Sequence, residues 1–349
     1  MNYLFLFSNF GIHFDYSYIK QLKMRKNIGL LVFLFAFYFA KADKAFSPVY
    51  SMSPPNWFTQ MPNKNVQVMI YGNALNNYKI GVSHPGVKLK KITRLANVNY
   101  VLVDIEIAPT AKAGTIDFTF KNETINARHG FMLYDKEKSK ISVINMTAKK
   151  TENINIDRFQ NGDDKNDSYL SMNEKTINLN DPTARHGGDF KGFIQYIDTT
   201  NSINETAYIF DPIQECNIAK ESYKGVPTSH FYRVEPRYGN IFLLQKITEK
   251  VHSSNASIQL MMQINNSSEQ NQLYIDQPNA WFLNGSTNFN FKNKAVQNYM
   301  SEMLVWWAET ADLDGISIIN SKAIDKKTKG VIEKYFKTYS TKRTLFFKE

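Results

Sequence analysis

KAVQNYMSEMLVWWAETADLDGISII, residues 294–319, decides how the second half of the chain folds. Lys294–Thr310 has apolar residues at three- and four-residue spacing and reads as a helix, and Gly315–Ile319 reads as a short strand. Trp306 and Trp307 are neighbours on that helix and cannot share a face, so at least one belongs to the core. Working outward, Ala207–Phe210 and Ile258–Ile264 read as strands, and Ile241–Val251 as a helix. Beyond the opening stretch, Lys326–Tyr339 reads as a helix and Leu345–Phe347 as a strand. Strands alternating with helices imply a parallel α/β arrangement.

Residues 50–122 read differently. Val66–Tyr71, Val87–Thr93, Tyr100–Ile107 (YVLVDIEI) and Thr115–Phe120 are short strands, and Gly72-Asn73 and Ala113-Gly114 mark turns. Tyr100–Ile107 alternates clearly enough to predict a half-buried strand. Together these strands predict a β-sandwich of about 75–85 residues.

With 349 residues there is room for two domains. The net charge of +10 overstates the basic character. Lys20, Lys23, Arg25, Lys26 and Lys41 against Asp15 put +4 of it in residues 1–42. No basic block interleaves with aromatics, so nucleic-acid binding is not expected. Cys216 is the one cysteine, which excludes a disulfide or a cysteine-based metal site within the chain.

Met24-Arg25-Lys26-Asn27 is a basic stretch, and Ile28–Ala40 is an apolar run of 13 residues. Ala40-Lys41-Ala42 follows, giving the pattern of a secretory signal cleaved before Asp43. The run falls short of the ~20 residues a membrane span needs, so no stable span is expected after cleavage. Residues 1–23 do not fit the signal, and translation is expected to start at Met24. The mature protein is then periplasmic or extracellular.

Four stretches, in order, carry a family resemblance: Asp157–Ser168 (DRFQNGDDKNDS), Ala184–Asp189 (ARHGGD), Phe231–Asn240 (FYRVEPRYGN) and Trp306–Ile316 (WWAETADLDGI). With Pro54–Met61 ahead of VQVMIYG, they resemble the neopullulanase and cyclomaltodextrinase branch of glycoside hydrolase family 13, the α-amylase family. The resemblance implies an N-terminal β-sandwich followed by an α/β (TIM-type) barrel. As an expectation, the barrel is incomplete and covers roughly the first five of eight strands. The domains are then residues 1–42 (upstream extension plus signal peptide), 43–125 (sandwich), 126–150 (connector) and 151–349 (partial barrel). The first barrel strand looks weak, since Thr151–Ile156 reads TENINI.

The family hydrolyses α-glucosidic bonds with retention, using a carboxylate nucleophile and a carboxylic acid roughly 5–5.5 Å apart. Carried onto this chain, the arginine position is Ser317 and the nucleophile position is Ile319. The third-strand aspartate is Met261, its sugar-contacting histidine is Asn266, and a second such histidine is Lys224. The acid position falls at the last residue, Glu349. The family calcium site is matched by Asn161, Asp163, Asn166, Asp167, Gly187 and Asp189, an oxygen set that suits Ca²⁺. Trp57 and Trp281 are candidate sugar platforms, with core packing as the ordinary alternative. His129 and His186 fall in predicted loops.

The family role is hydrolysis of maltodextrins, cyclodextrins or pullulan. The substituted positions predict an inactive homologue that retains glucan binding. Two alternatives stay open: a non-functional gene fragment, and an active hydrolase completed by a partner chain. Homo-oligomer formation is left open with the second of these.

Overall fold

The computed structural model describes residues 47–136, 149–200, 203–277, 280–340 and 343–349. The upstream extension, Met24, the export signal and residues 137–148 of the expected connector lie outside the described residues.

Residues 47–136 build the sandwich. Its strands are β1 (Val49–Ser53), β2 (Asn56–Phe58), β3 (Asn65–Gly72) and β4 (Lys79–Ser83), then β5 (Val87–Arg94), β6 (Tyr100–Ile107), β7 (Gly114–Lys121) and β8 (Asn126–Tyr134). One sheet runs β1-β3-β6-β5 and the other β2-β8-β7-β4. Strand alternation turns Val68, Ile70, Val101, Val103 and Ile105 inward, together with Ile116, Phe118, Phe120 and Leu133, and all are completely buried. The sandwich reaches nine residues beyond the expected boundary at 125, because β8 pairs with β7 from Asn126 to Leu133 and with β2 at its end. Gly130 and the adjacent polar residues Arg128 and His129 break the apolar alternation of that strand. His129, expected in a loop, lies in β8, and burial lowers the pKa of its imidazole.

The second part runs β9 (Lys150–Ile154), α1 (Phe190–Thr199), β10 (Thr206–Phe210), β11 (Gln214–Glu215) and β12 (His230–Val234). It continues with α2 (Ile241–Ser253), β13 (Ser257–Met262), α3 (Gln272–Asp276), α4 (Lys294–Thr310), β14 (Gly315–Ile318), α5 (Lys326–Tyr339) and β15 (Thr344–Phe347). Strands β9, β10, β13, β14 and β15 form one parallel sheet in chain order. Each helix is opened by Asn or Asp, whose side chain accepts a backbone N–H of the first turn. The polar β9 is an edge strand with one neighbour among the described residues, so its Lys150, Glu152 and Asn153 suit its position.

Helix α4 joins the two parts. Its Trp306 Nε1 donates to Asn56 of β2 at 3.2 Å, and Trp307 Nε1 donates to the Phe231 carbonyl of β12 at 2.8 Å. Both tryptophans are buried, each toward a different partner. Glu302 of the same helix accepts the Gln67 backbone N–H of β3 at 2.8 Å. Among the described residues no helix is long and apolar enough to cross a membrane.

Candidate functional site

The parallel sheet has two faces, and helix contacts tell them apart. Phe193 of α1 packs edge-on against Tyr208 and Phe210 at 5.4 and 4.9 Å, and Lys329 of α5 lies over the Phe347 ring. Register carries that helix-covered face through Leu260, Ile316 and Leu345. The opposite face therefore bears Ile209, Met261, Ser317 and Phe346. Ser317 pairs in register with Met261 on one side and Phe346 on the other. It is completely buried, and its Oγ has no hydrogen-bond partner. Ile319 follows, half-buried, with its N–H donated to the Met262 carbonyl at 2.9 Å.

The remaining expected positions scatter. Asn266 is half-buried in a bridge to Asn288, and its Oδ1 has no partner. Lys224 is exposed and paired with Glu221 at 2.7 Å, which raises the pKa of its ammonium. Glu349 is exposed and reaches Lys322 at 3.4 Å.

The structure adds a carboxylate to this face that sequence reasoning passed over. Asp211 follows β10 in the same layer as Met261 and Ser317, and accepts Asn155 Nδ2 at 2.9 Å. Burial raises the pKa of its carboxyl. Strand β13 lies between Asp211 and Ser317, a separation of ~10 Å at the usual strand spacing. The signal for Asp211 was available: an acid directly after the apolar run Ala207–Phe210.

The Asx-rich loop and the stretch before α1 do come together. Asn161 Nδ2 donates to both Asp167 oxygens at 2.9 Å, and Asn166 Nδ2 donates to Asp189 Oδ2 at 3.1 Å. Asp189 also accepts the Gly162 N–H and caps α1 through the Gly192 N–H at 2.8 Å. Gly187 has φ +87°, and a Cβ there would lie 2.6 Å from Asp167 Oδ1, so only glycine fits. The Lys191 ammonium sits 2.5 Å from Asp163 and holds its carboxyl below the usual range, while burial raises that of Asp167. Among the described residues no three acidic, histidine or cysteine side chains converge as a metal-binding group. The donor set nonetheless fits a hard cation. Asn166 Oδ1 is buried without a partner, and turning the Asn161 and Asn166 amides over would present oxygens where they now present N–H groups.

Trp57 and Trp281 are both fully buried, and Trp281 packs edge-on against Tyr299 at 5.3 Å. Neither indole presents a face to solvent, because each fills a hydrophobic cluster from within. His186, by contrast, is in a loop as expected, with its ring nitrogen 3.1 Å from the Asp181 carbonyl.

Residues 51–137 match the family model described as the N-terminal domain of cyclomaltodextrinase, which coincides with the sandwich. A β/α-amylase of Paenibacillus polymyxa is 25% identical over 201 residues, covering 50% of this chain and 16% of that protein. The chain resembles the neopullulanase and cyclomaltodextrinase branch of glycoside hydrolase family 13. A cyclomaltodextrin glucanotransferase of Klebsiella oxytoca is 26% identical over 112 residues, covering 31% of this chain and 17% of that protein. The chain thus spans about one-sixth of the length of these curated relatives. Among solved structures, an Anoxybacillus α-amylase superposes with a TM-score of 0.51 at 24% identity, over 58% of this chain and 47% of that one. A type III pullulan hydrolase from Thermococcus kodakarensis gives 0.51 at 15% identity, over 84% and 60%. At these identities the structural likeness is one of fold.

Proposed function

We propose that this chain is an exported, non-catalytic relative of the α-glucan hydrolases, which binds maltodextrin-type glucans without cleaving them. Its parallel strands stand for the first five of a TIM-type barrel behind the sandwich, and the Asx-rich loop holds a structural Ca²⁺. The observation that carries the reading is the pair Ser317 and Ile319 at the arginine and nucleophile positions. An isoleucine has no atom that can attack an anomeric carbon. Retaining hydrolysis also needs two carboxyl groups about 5–5.5 Å apart. The layer formed by Asn155, Asp211, Met261, Ser317 and Phe346 offers only one.

Calcium, when bound, would supply charge that ties the 161–167 loop to the start of α1. Asp163, Asp167 and Asp189 would hold it with the Asn161 and Asn166 side-chain oxygens and the Gly187 carbonyl. No step of bond cleavage depends on it.

The test pairs isothermal calorimetry against maltoheptaose, with calcium present, with a reducing-sugar assay on maltoheptaose, cyclodextrin and pullulan. Saturable heat without product supports the reading. Sustained release of reducing ends would sink it and favour an active hydrolase. No binding together with an unfolded circular-dichroism spectrum would favour a gene remnant.

A further inference from the structure

A small cleft lies where the outer face of the β1-β3-β6-β5 sheet meets the loops of the second part. Its rim is aromatic. Tyr50 is 60% exposed and edge-on to Tyr71 at 5.3 Å, and Tyr71 stacks on Tyr100 at 4.7 Å. Tyr100 is locked from behind by donating to Asp276 Oδ2 at 2.6 Å. The exposed Tyr50 ring beside this packed pair is a surface on which a sugar ring can stack.

The lining is neutral and rich in hydrogen-bonding groups. None of the residues forming it is Asp, Glu, Lys or Arg. The one titratable imidazole, His230, is neutral near pH 7, since burial lowers its pKa to about 4. Its Nδ1 accepts the Tyr232 backbone N–H at 3.3 Å, so the ring proton sits on Nε2 and makes that atom a donor. Asn271 spends its Oδ1 on the Leu273 N–H at 2.8 Å, which leaves its Nδ2 hydrogens to donate. An apolar ligand would bury these groups unpaired, and an ion would find no opposite charge. The void measures about 50 Å³, room for a few water-sized groups and too little to enclose a six-membered ring. A ligand that fits sends a hydroxyl or hydroxymethyl arm inward and lays its ring on the tyrosine rim.

We infer that this cleft binds a neutral hexose unit, with its ring against Tyr50 and Tyr71 and a hydroxyl arm toward His230 and Asn271. It is separate from the sheet face that carries Ser317 and Ile319. The choice of an α-glucan as the source of that hexose rests on the function proposed above.

The full chain is titrated with maltoheptaose, and with cellohexaose as a second neutral oligosaccharide, by calorimetry. Tyr50→Ala removes the exposed ring and should weaken binding roughly three- to tenfold, the size of one aromatic contact. Ser51→Arg places a long charged side chain at the mouth, from an exposed lining position next to Tyr50, and should weaken it at least as much. Tyr50→Phe keeps the ring and should bind within about twofold of the parent. Unchanged melting temperatures confirm that the variants fold. Maltoheptaose binding that is indifferent to both Tyr50→Ala and Ser51→Arg overturns the cleft and leaves the glucan-binding function standing. Tyr50-dependent binding of cellohexaose alone keeps the cleft and overturns the α-glucan reading. Binding of neither sugar overturns both.

Discussion

Glu302 illustrates how a single carboxyl can report on the contact between the two parts of the molecule. It is buried between α4 and β3, where Oε1 accepts the Gln67 N–H at 2.8 Å and the Tyr335 hydroxyl at 3.1 Å. Burial raises its pKa from 4.5 to about 8, partly offset by those two hydrogen bonds. The folded protein therefore holds a proton that the unfolded chain releases above about pH 4.5. The stability from this group is fully present below that pH and is lost as pH rises toward about 8. Glu302→Gln is expected to flatten the fall in stability between pH 5 and 8, as measured by urea denaturation at several pH values. An unchanged slope would mean that Glu302 is already ionised at pH 5. Asp189 has a different kind of reach, because it caps α1 and also gathers the Gly162 N–H and the Asn166 amide. Asp189→Ala should destabilise the protein by about 2 kcal/mol, one cap plus the donors left unpaired. Calcium should raise the melting temperature of the parent and not of the variant, and a chelator should reverse the gain. Equal calcium shifts in both proteins would remove Asp189 from the metal set.

Helix α4 shows how an element acquires its role from what surrounds it. Most helices of a globular protein have one apolar stripe, but most of α4 is buried, because the sheet lies on one side and the sandwich on the other. Trp307→Ala should cost about 3–5 kcal/mol, the usual range for removing a large buried aromatic. Trp306→Phe keeps one aromatic ring but loses the bond to Asn56 and the volume of the indole's five-membered ring, so it should cost about 2 kcal/mol. Denaturant midpoints compare the two, and a Trp307→Ala loss no larger than that of Trp306→Phe would contradict the packing assigned to Trp307. Strand β9 is the opposite case. Its polar sequence reads as a poor strand in isolation, yet an edge position tolerates lysine and glutamate where a central strand would not.

For the whole molecule, what could be read in advance depended on how locally each feature is encoded. The alternation in Tyr100–Ile107 and the apolar spacing of Lys294–Thr310 are consequences of strand and helix periods, and both elements stand where the pattern put them. The Asx-rich loop was legible as well, since Asn and Asp at close spacing hydrogen-bond to nearby backbone wherever the chain turns. The identities of Ser317 and Ile319 needed only a residue-by-residue comparison along the chain. Tertiary structure alone decided the rest. Tyr100–Ile107 was expected to be half-buried, but Tyr100 and Leu102 are buried on the face away from the sandwich core. Trp57 and Trp281 are enclosed, β8 extends the sandwich to Tyr134, and Asp211 shares a layer with Met261 and Ser317. Each of these depends on which distant segment packs against a residue. A periodic pattern records that a side chain faces a surface, and the identity of that surface is set when segments far apart in sequence meet.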